Sequence, residues 1–170
     1  QNIIKLIESC GHLKIKNIII PLVDNSSLEN IKDEKKTIDF FLQFKNLLKK
    51  YNVRILFEID YSPKKIIKLL KSFNDSFGIN YDTGNSASLG FKISEEKKYF
   101  KRVHNIHIKD RLFKGTTVKL GEGNCDFKTL FNTLKVIKYK KNLILQTAKT
   151  FKNKETEEIL ENIKFIKNFI

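Results

Sequence analysis

Three apolar, β-branched runs recur about 25 residues apart, and each ends on a residue able to hold a metal ion. They are Val53-Arg54-Ile55-Leu56-Phe57-Glu58, Phe77-Gly78-Ile79-Asn80-Tyr81-Asp82 and Val103-His104-Asn105-Ile106-His107-Ile108-Lys109-Asp110. Runs of this kind read as buried parallel strands. Amphipathic stretches between them supply the helices that right-handed βαβ crossovers require. If the strands are parallel neighbours, Glu58, Asp82 and His107 meet on one rim of one sheet, as a hard or borderline divalent cation demands.

The flanking sequence continues the alternation. Asn2 to Cys10 carries apolar residues at helical spacing, with Gly11 placed to supply a left-handed C-cap. Asn17 to Val23 reads as a strand with Pro21 near its end, where one lost ladder bond is tolerable. Ile38, Phe41, Leu42, Phe44, Leu47 and Leu48 define one face of a helix from Lys35 to Lys50. Ser62-Pro63 predicts an N-cap followed by Pro in the first turn of a helix through Ser72. A short helix is expected from Ser94 to Phe100, and a glycine-punctuated loop from Arg111 to Asn124. A further helix starts on Asp126 as N-cap, followed by a strand over Asn142 to Thr147 and a closing helix from Thr156 to Ile170. The fold class expected is therefore α/β, a TIM-barrel type (β/α) array of about five parallel strands with alternating helices.

Composition narrows the function classes. The chain of 170 residues is long enough for one domain with a real core, and a single unit over residues 1–170 is expected. The net charge of +14 invites a nucleic-acid reading. Only Arg54, Arg102 and Arg111 are arginines, however, and the lysines scatter along solvent faces of helices, which argues against a nucleic-acid partner. No apolar run approaches the roughly 20 residues that span a bilayer, and no signal-type apolar stretch stands near Gln1, so no membrane partner is expected. Cys10 and Cys125 form no CxxC pair, which fits a reducing, cytoplasmic setting. P-loop, GxGxxG, GxSxG and HExxH patterns are absent.

Four motifs in order, Phe57-Glu58-Ile59, Asn80-Tyr81-Asp82-Thr83-Gly84, His107-Ile108-Lys109-Asp110 and Leu120-Gly121-Glu122-Gly123-Asn124-Cys125-Asp126-Phe127, resemble the C-terminal part of the xylose isomerase-like sugar (phosphate) isomerase/epimerase barrels. By that resemblance the strands are the fourth to eighth of eight, and the first three are absent. A first residue that is Gln rather than Met fits a piece of a longer chain. An open parallel edge also favours association, so a homo-oligomer is a further expectation. The resemblance implies one divalent metal ion, Mn²⁺, Mg²⁺ or Co²⁺, held by Glu58, Asp82, His107 and, where the family has a second Glu, Gln146. It also implies a small-molecule carbohydrate substrate. Asn85 stands where many members have the His of D-T-G-H and contact substrate.

The chemistry implied is proton transfer next to a carbonyl through an enediolate. Gln146 cannot take a proton, which leaves Glu58 as the strand-tip base and favours a one-base aldose–ketose isomerisation over two-face epimerisation. Lys109 is a candidate catalytic residue, holding a substrate hydroxyl or phosphate. Asp110, Arg111 and Glu122 join Asn85 as candidate substrate-binding residues: Asp110 to orient the lysine or a loop, Arg111 to anchor an anion, and Glu122 to close the site between two glycines. Two other readings stand beside this one. A barrel remnant that has lost turnover would serve as a binding or assembly domain. An apurinic endonuclease of the same fold would suit the charge, but its zinc cluster needs more imidazoles than His12, His104 and His107.

Overall fold

The computed structural model describes residues 2–148 and 154–170. Five parallel strands alternate with helices, in the order β1 (Asn17–Leu22), β2 (Arg54–Ile59), β3 (Phe77–Asp82), β4 (Val103–Ile108) and β7 (Asn142–Leu145) across one sheet. The order in the sheet is the order in the chain, as a barrel built by successive βα units requires. Strands β5 (Asp110–Arg111) and β6 (Thr117–Val118) form a small antiparallel hairpin after β4. By contact density the chain falls into two compact units, Gln1–Asn80 with Tyr99–Asn105, and Tyr81–Lys98 with Ile106–Ile170.

In the first unit, α1 (Asn2–His12), α2 (Ile31–Leu42), α3 (Lys45–Tyr51) and α4 (Pro63–Leu70) accompany β1 and β2. Strand β1 pairs in parallel with β2 from Asn17↔Arg54 to Leu22↔Ile59, and β2 pairs in parallel with β3 from Ile55↔Phe77 to Phe57↔Ile79. The core is aromatic: Phe57 meets Phe41 and Phe73 at centroid distances of 5.2 Å, and Phe73 meets Phe77 at 4.7 Å. Full burial of one such ring is worth about 2–3 kcal/mol. The Arg102 guanidinium closes the β3 entry by donating to the carbonyls of Phe73, Asn74 and Phe77.

The second unit holds α5 (Thr83–Leu89), α6 (Ile93–Glu96), α7 (Phe127–Val136) and α8 (Glu155–Lys167), with the β5–β6 hairpin and β7. Phe127, Leu130, Phe131 and Leu134 of α7 and Ile166 of α8 are buried, and Phe131 stacks on Phe169 at 5.7 Å. The buried Glu96 carboxylate accepts from the Tyr81 and Ser86 hydroxyls, which ties α6 to the start of α5. No helix among the described residues is long and apolar enough to cross a membrane.

Several local expectations give way to packing. Helix α1 runs through Gly11 to His12, and Lys14 rather than Gly11 takes the left-handed conformation. Gly11 is needed for space, because a Cβ there would lie 2.5 Å from the Tyr51 ring. The helix expected over Lys35 to Lys50 is two helices. The first starts earlier, where the Asn30 side chain accepts from the Lys32 and Asp33 N–H groups, and Phe44 (φ −94°, ψ 0°) interrupts the run before α3. Ser62 makes no side-chain cap bond, although Pro63 does open α4. The helix expected from Ser94 is a single turn, α6, followed by a 3₁₀ segment over Lys97–Arg102. The loop after Asp110 contains the β5–β6 hairpin, and β7 ends at Leu145, one residue before Gln146.

Candidate metal centre

Each acidic or imidazole ligand residue sits at or next to the last position of its strand, Glu58 in β2, Asp82 in β3 and His107 in β4. One ligand atom from each of the three lies within 4.8 Å of the other two. Donor atoms on one ion at about 2.0–2.3 Å stand roughly 3–4.5 Å apart, a separation comparable to the one found here. Two carboxylates with one imidazole is a donor set for Mn²⁺, Mg²⁺, Co²⁺ or Zn²⁺. The residues present therefore fit an ion.

Asp82 meets a backbone N–H, an ammonium and an imidazole. Its Oδ1 accepts the Asn85 N–H at 2.8 Å and caps α5. Its Oδ2 lies 3.0 Å from Lys109 Nζ and 4.0 Å from His107 Nδ1. The Asp82 side chain is 1% exposed and that of Lys109 16%, so this is a nearly dry ion pair.

The residues after Asp82 place that lysine. The Thr83 hydroxyl donates to the Lys109 carbonyl and accepts the Lys109 N–H at 2.8 Å, locking the backbone on both sides of the residue. Gly84 leaves room for the lysine stem, since a Cβ there would fall 2.7 Å from both Lys109 Cγ and Cδ. Asp-Thr-Gly thus supplies a candidate ligand, a backbone clamp and room for the lysine stem.

The remaining candidates divide. Asn85 Oδ1 accepts from Arg111 Nη1 at 3.0 Å, and the other arms of that guanidinium bind the Gly115 carbonyl at 3.1 and 2.9 Å. Asn85 and Arg111 are therefore brought together. Asp110 is fully buried and turns toward a loop rather than toward Lys109. Its Oδ1 accepts from Arg111 and Cys125 N–H groups at 3.0 Å, and its Oδ2 from Gly121 at 2.9 Å and Gly123 at 3.0 Å. Glu122, carried by that loop, is exposed. Gln146 follows β7 with an exposed side chain, and its N–H donates to the Ile108 carbonyl at 3.0 Å, one residue past His107.

Two residues that sequence reasoning passed over belong in this description. Asn80 Nδ2 donates to Glu58 Oε2 at 2.7 Å, and Asn105 Nδ2 donates to Asn80 Oδ1 at 2.6 Å. Both asparagines stand two residues before a ligand on the same strand, Asn80 before Asp82 and Asn105 before His107. Strand alternation puts residues at that spacing on the same face as the ligand, and this was the signal available.

A parallel βα array with two carboxylates and an imidazole at its strand ends is a partial (β/α) barrel of the kind that keeps ligands at the C-terminal rim. The chain belongs to the xylose isomerase-like TIM barrel family, which matches residues 1–169. Among solved structures, it superposes on a xylose isomerase domain protein from Planctomyces limnophilus with a TM-score of 0.77 at 17% identity, covering 99% of this chain and 64% of that one. The IOLI protein, crystallised with a binding zinc atom, gives 0.79 at 19% identity over 98% of this chain and 68% of that one. The 3-keto-D-glucoside 4-epimerase YcjR from E. coli gives 0.78 at 13% identity over 98% and 69%. At these identities the likeness is one of fold, and the chain spans less than two thirds of the length of the first of the three. No curated protein matches the sequence.

Proposed function

We propose that this chain is a domain of a divalent-metal-dependent sugar or sugar-phosphate isomerase of the isomerase/epimerase type. The observation that carries the reading is the gathering of Glu58, Asp82 and His107 ligand atoms within 4.8 Å. Sugar epimerases among the structures of like fold support it. Glu58, Asp82 and His107 would hold the ion, Mn²⁺, Mg²⁺ or Co²⁺, and Gln146 would add a neutral oxygen donor. An ion held there would supply Lewis-acid polarisation of a substrate carbonyl and its neighbouring hydroxyl.

The chain's own groups then move the protons. The Glu58 carboxylate takes the proton from the carbon next to the carbonyl and returns it to the former carbonyl carbon. The hydroxyl proton passes to the former carbonyl oxygen, so the step is redox-neutral and needs no co-reactant. Lys109, held by Asp82, donates to the oxygen on which negative charge develops. Asn85 and Arg111 contact the distal part of the sugar, and Asp110 shapes the loop that carries Glu122. With Gln146 unable to exchange a proton, a single base serves one face, and aldose–ketose isomerisation is favoured over epimerisation. The two free cysteines, Cys10 and Cys125, accord with a reducing, cytoplasmic setting.

The test is interconversion. Aldoses, ketoses and their phosphates are incubated with the Mn²⁺-loaded protein and followed by NMR. Aldose–ketose interconversion that is lost in Glu58→Gln supports the reading. Full turnover in Glu58→Gln refutes Glu58 as base. Ion binding without any interconversion across the panel favours a binding or assembly domain, a reading that the exposed Gln146 side chain also suits.

A further inference from the structure

Asn80 and Asn105 do no work in the reaction just described, yet their amides are among the most deeply buried polar groups of the first unit, 1% and 3% exposed. A buried amide without partners costs about 1–3 kcal/mol, so such groups persist in a strand interior only where their bonds are made. Here they are made to one another and to Glu58. Asn105 Nδ2 donates to Asn80 Oδ1 at 2.6 Å, and Asn80 Nδ2 donates to Glu58 Oε2 at 2.7 Å. The polarity of the chain follows from its end. An ionised carboxylate only accepts, so Asn80 turns its NH₂ toward Glu58, and its carbonyl oxygen is left to face the Asn105 NH₂.

We infer that Asn80 and Asn105 are positioning residues, an amide ladder that fixes the plane of the Glu58 carboxylate and hence the direction in which its other oxygen is presented. The inference rests on the reading of Glu58 as ligand and base. A ladder of amides suits that double role better than hydroxyls or imidazoles would. Asn80 donates from one end and accepts at the other, so Asn105 orients Asn80 and Asn80 orients Glu58. Neither amide accepts or releases a proton near neutral pH, so a proton collected by Glu58 has no exit along the ladder and goes back to the substrate. Partners of metal-ligating carboxylates commonly change metal affinity by about 10–100-fold when removed.

The experiment compares the wild-type full chain with Asn80→Leu and Asn105→Leu. Asn162→Leu serves as the control, breaking another buried amide bond, that of Asn162 to the Thr147 hydroxyl at 3.0 Å. Variants are checked for a cooperative melt, then titrated with Mn²⁺ by calorimetry and loaded with Co²⁺ for the visible d–d spectrum. Asn80→Leu is expected to bind Mn²⁺ about tenfold or more weakly and to shift the Co²⁺ bands. Asn105→Leu should move both readouts the same way by less, and Asn162→Leu should lower stability while moving neither. Wild-type affinity and an unchanged Co²⁺ spectrum in Asn80→Leu overturn the inference. A metal-free readout separates this from failure of the metal reading. The Asn80 side-chain NH₂ signals should exchange slowly with solvent in the apo wild type and lose that protection in Asn105→Leu. Rapid exchange in the apo wild type overturns the ladder even if the ion binds, whereas slow exchange beside absent Mn²⁺ binding upholds the ladder and refutes only the metal site.

Discussion

Replacing Asp110 by Asn tests how the loop after β4 is built. The carboxylate is fully buried and accepts four backbone N–H groups, from Arg111, Gly121, Gly123 and Cys125, at 2.9–3.0 Å. Asparagine keeps one oxygen, and with it two of these bonds. Its NH₂ replaces the other oxygen and faces two N–H donors head-on. Hydrogen bonds to a charged group contribute about 1.5–3 kcal/mol each, so losing two costs about 3–6 kcal/mol. For a chain of this size each kcal/mol lowers Tm by about 2–4 °C, giving a fall of roughly 10 °C. Urea unfolding measures the loss, provided that the m-value is unchanged. Asp126→Asn is the control, because it makes the same change at an N-cap, where Asp and Asn are close to equivalent. Hydrogen exchange should locate the damage at Gly121, Gly123 and Cys125. An Asp110→Asn protein within about 0.5 kcal/mol of the Asp126→Asn control would refute the reasoning, since surface changes alone fall in that range.

Gly84→Ala sets about 1 kcal/mol of improved helix propensity against a Cβ 2.7 Å from the Lys109 stem. Overpacking costs about 1–3 kcal/mol, so a small net destabilisation is expected in urea, with the Lys109 Nζ displaced from Asp82 in a crystal structure. An unmoved lysine contradicts this account of the Asp-Thr-Gly segment. Gln146→Glu restores a negative donor at the end of β7 and should tighten Mn²⁺ binding by about tenfold or more, read by calorimetry; unchanged affinity removes Gln146 from the ligand set. Burial, and then the Asp110 carboxylate, push the Cys125 thiol far above its ordinary range. The folded chain therefore keeps a proton that the unfolded chain releases near pH ~8.5, so this group's contribution to stability falls as pH rises above that value. Iodoacetamide at pH 8.5 should modify native Cys125 at least about tenfold more slowly than in urea, and equal rates contradict the assignment.

The strand ends were readable because an apolar β-branched run that stops on Glu, Asp or His leaves few other placements for the polar group. Asp126 as N-cap of α7 and Pro63 at the start of α4 were readable for similar local reasons. What escaped depended on partners distant in sequence. The apolar spacing of Phe41, Phe44 and Leu48 continues across the α2–α3 break, so only the backbone turn at Phe44 reveals it. Asn30 was signalled by Asp33 three residues on, whose Oδ2 accepts from the Asn30 amide at 2.6 Å, a reciprocal cap whose helix begins four residues before Lys35. Gly11 looked like a helix stop because its left-handed tolerance is a local property, while the Tyr51 ring that requires a glycine there comes from α3. Asp110 looked like a site residue because an acid after His-Ile-Lys fits one, and nothing local marks the N–H groups of Gly121, Gly123 and Cys125 as its partners. Asn80 and Asn105 were passed over because asparagine is a poor strand former, and a poor strand former in a buried strand is itself a sign of a specific bond.

The most direct test of the central claim is calorimetric titration of Mn²⁺ into the metal-stripped protein, beside His107→Ala. One ion per chain is expected at micromolar or tighter affinity, with binding lost in His107→Ala. Equal binding by the two proteins would place the ion elsewhere, and no binding by the wild type would contradict a metal centre at Glu58, Asp82 and His107.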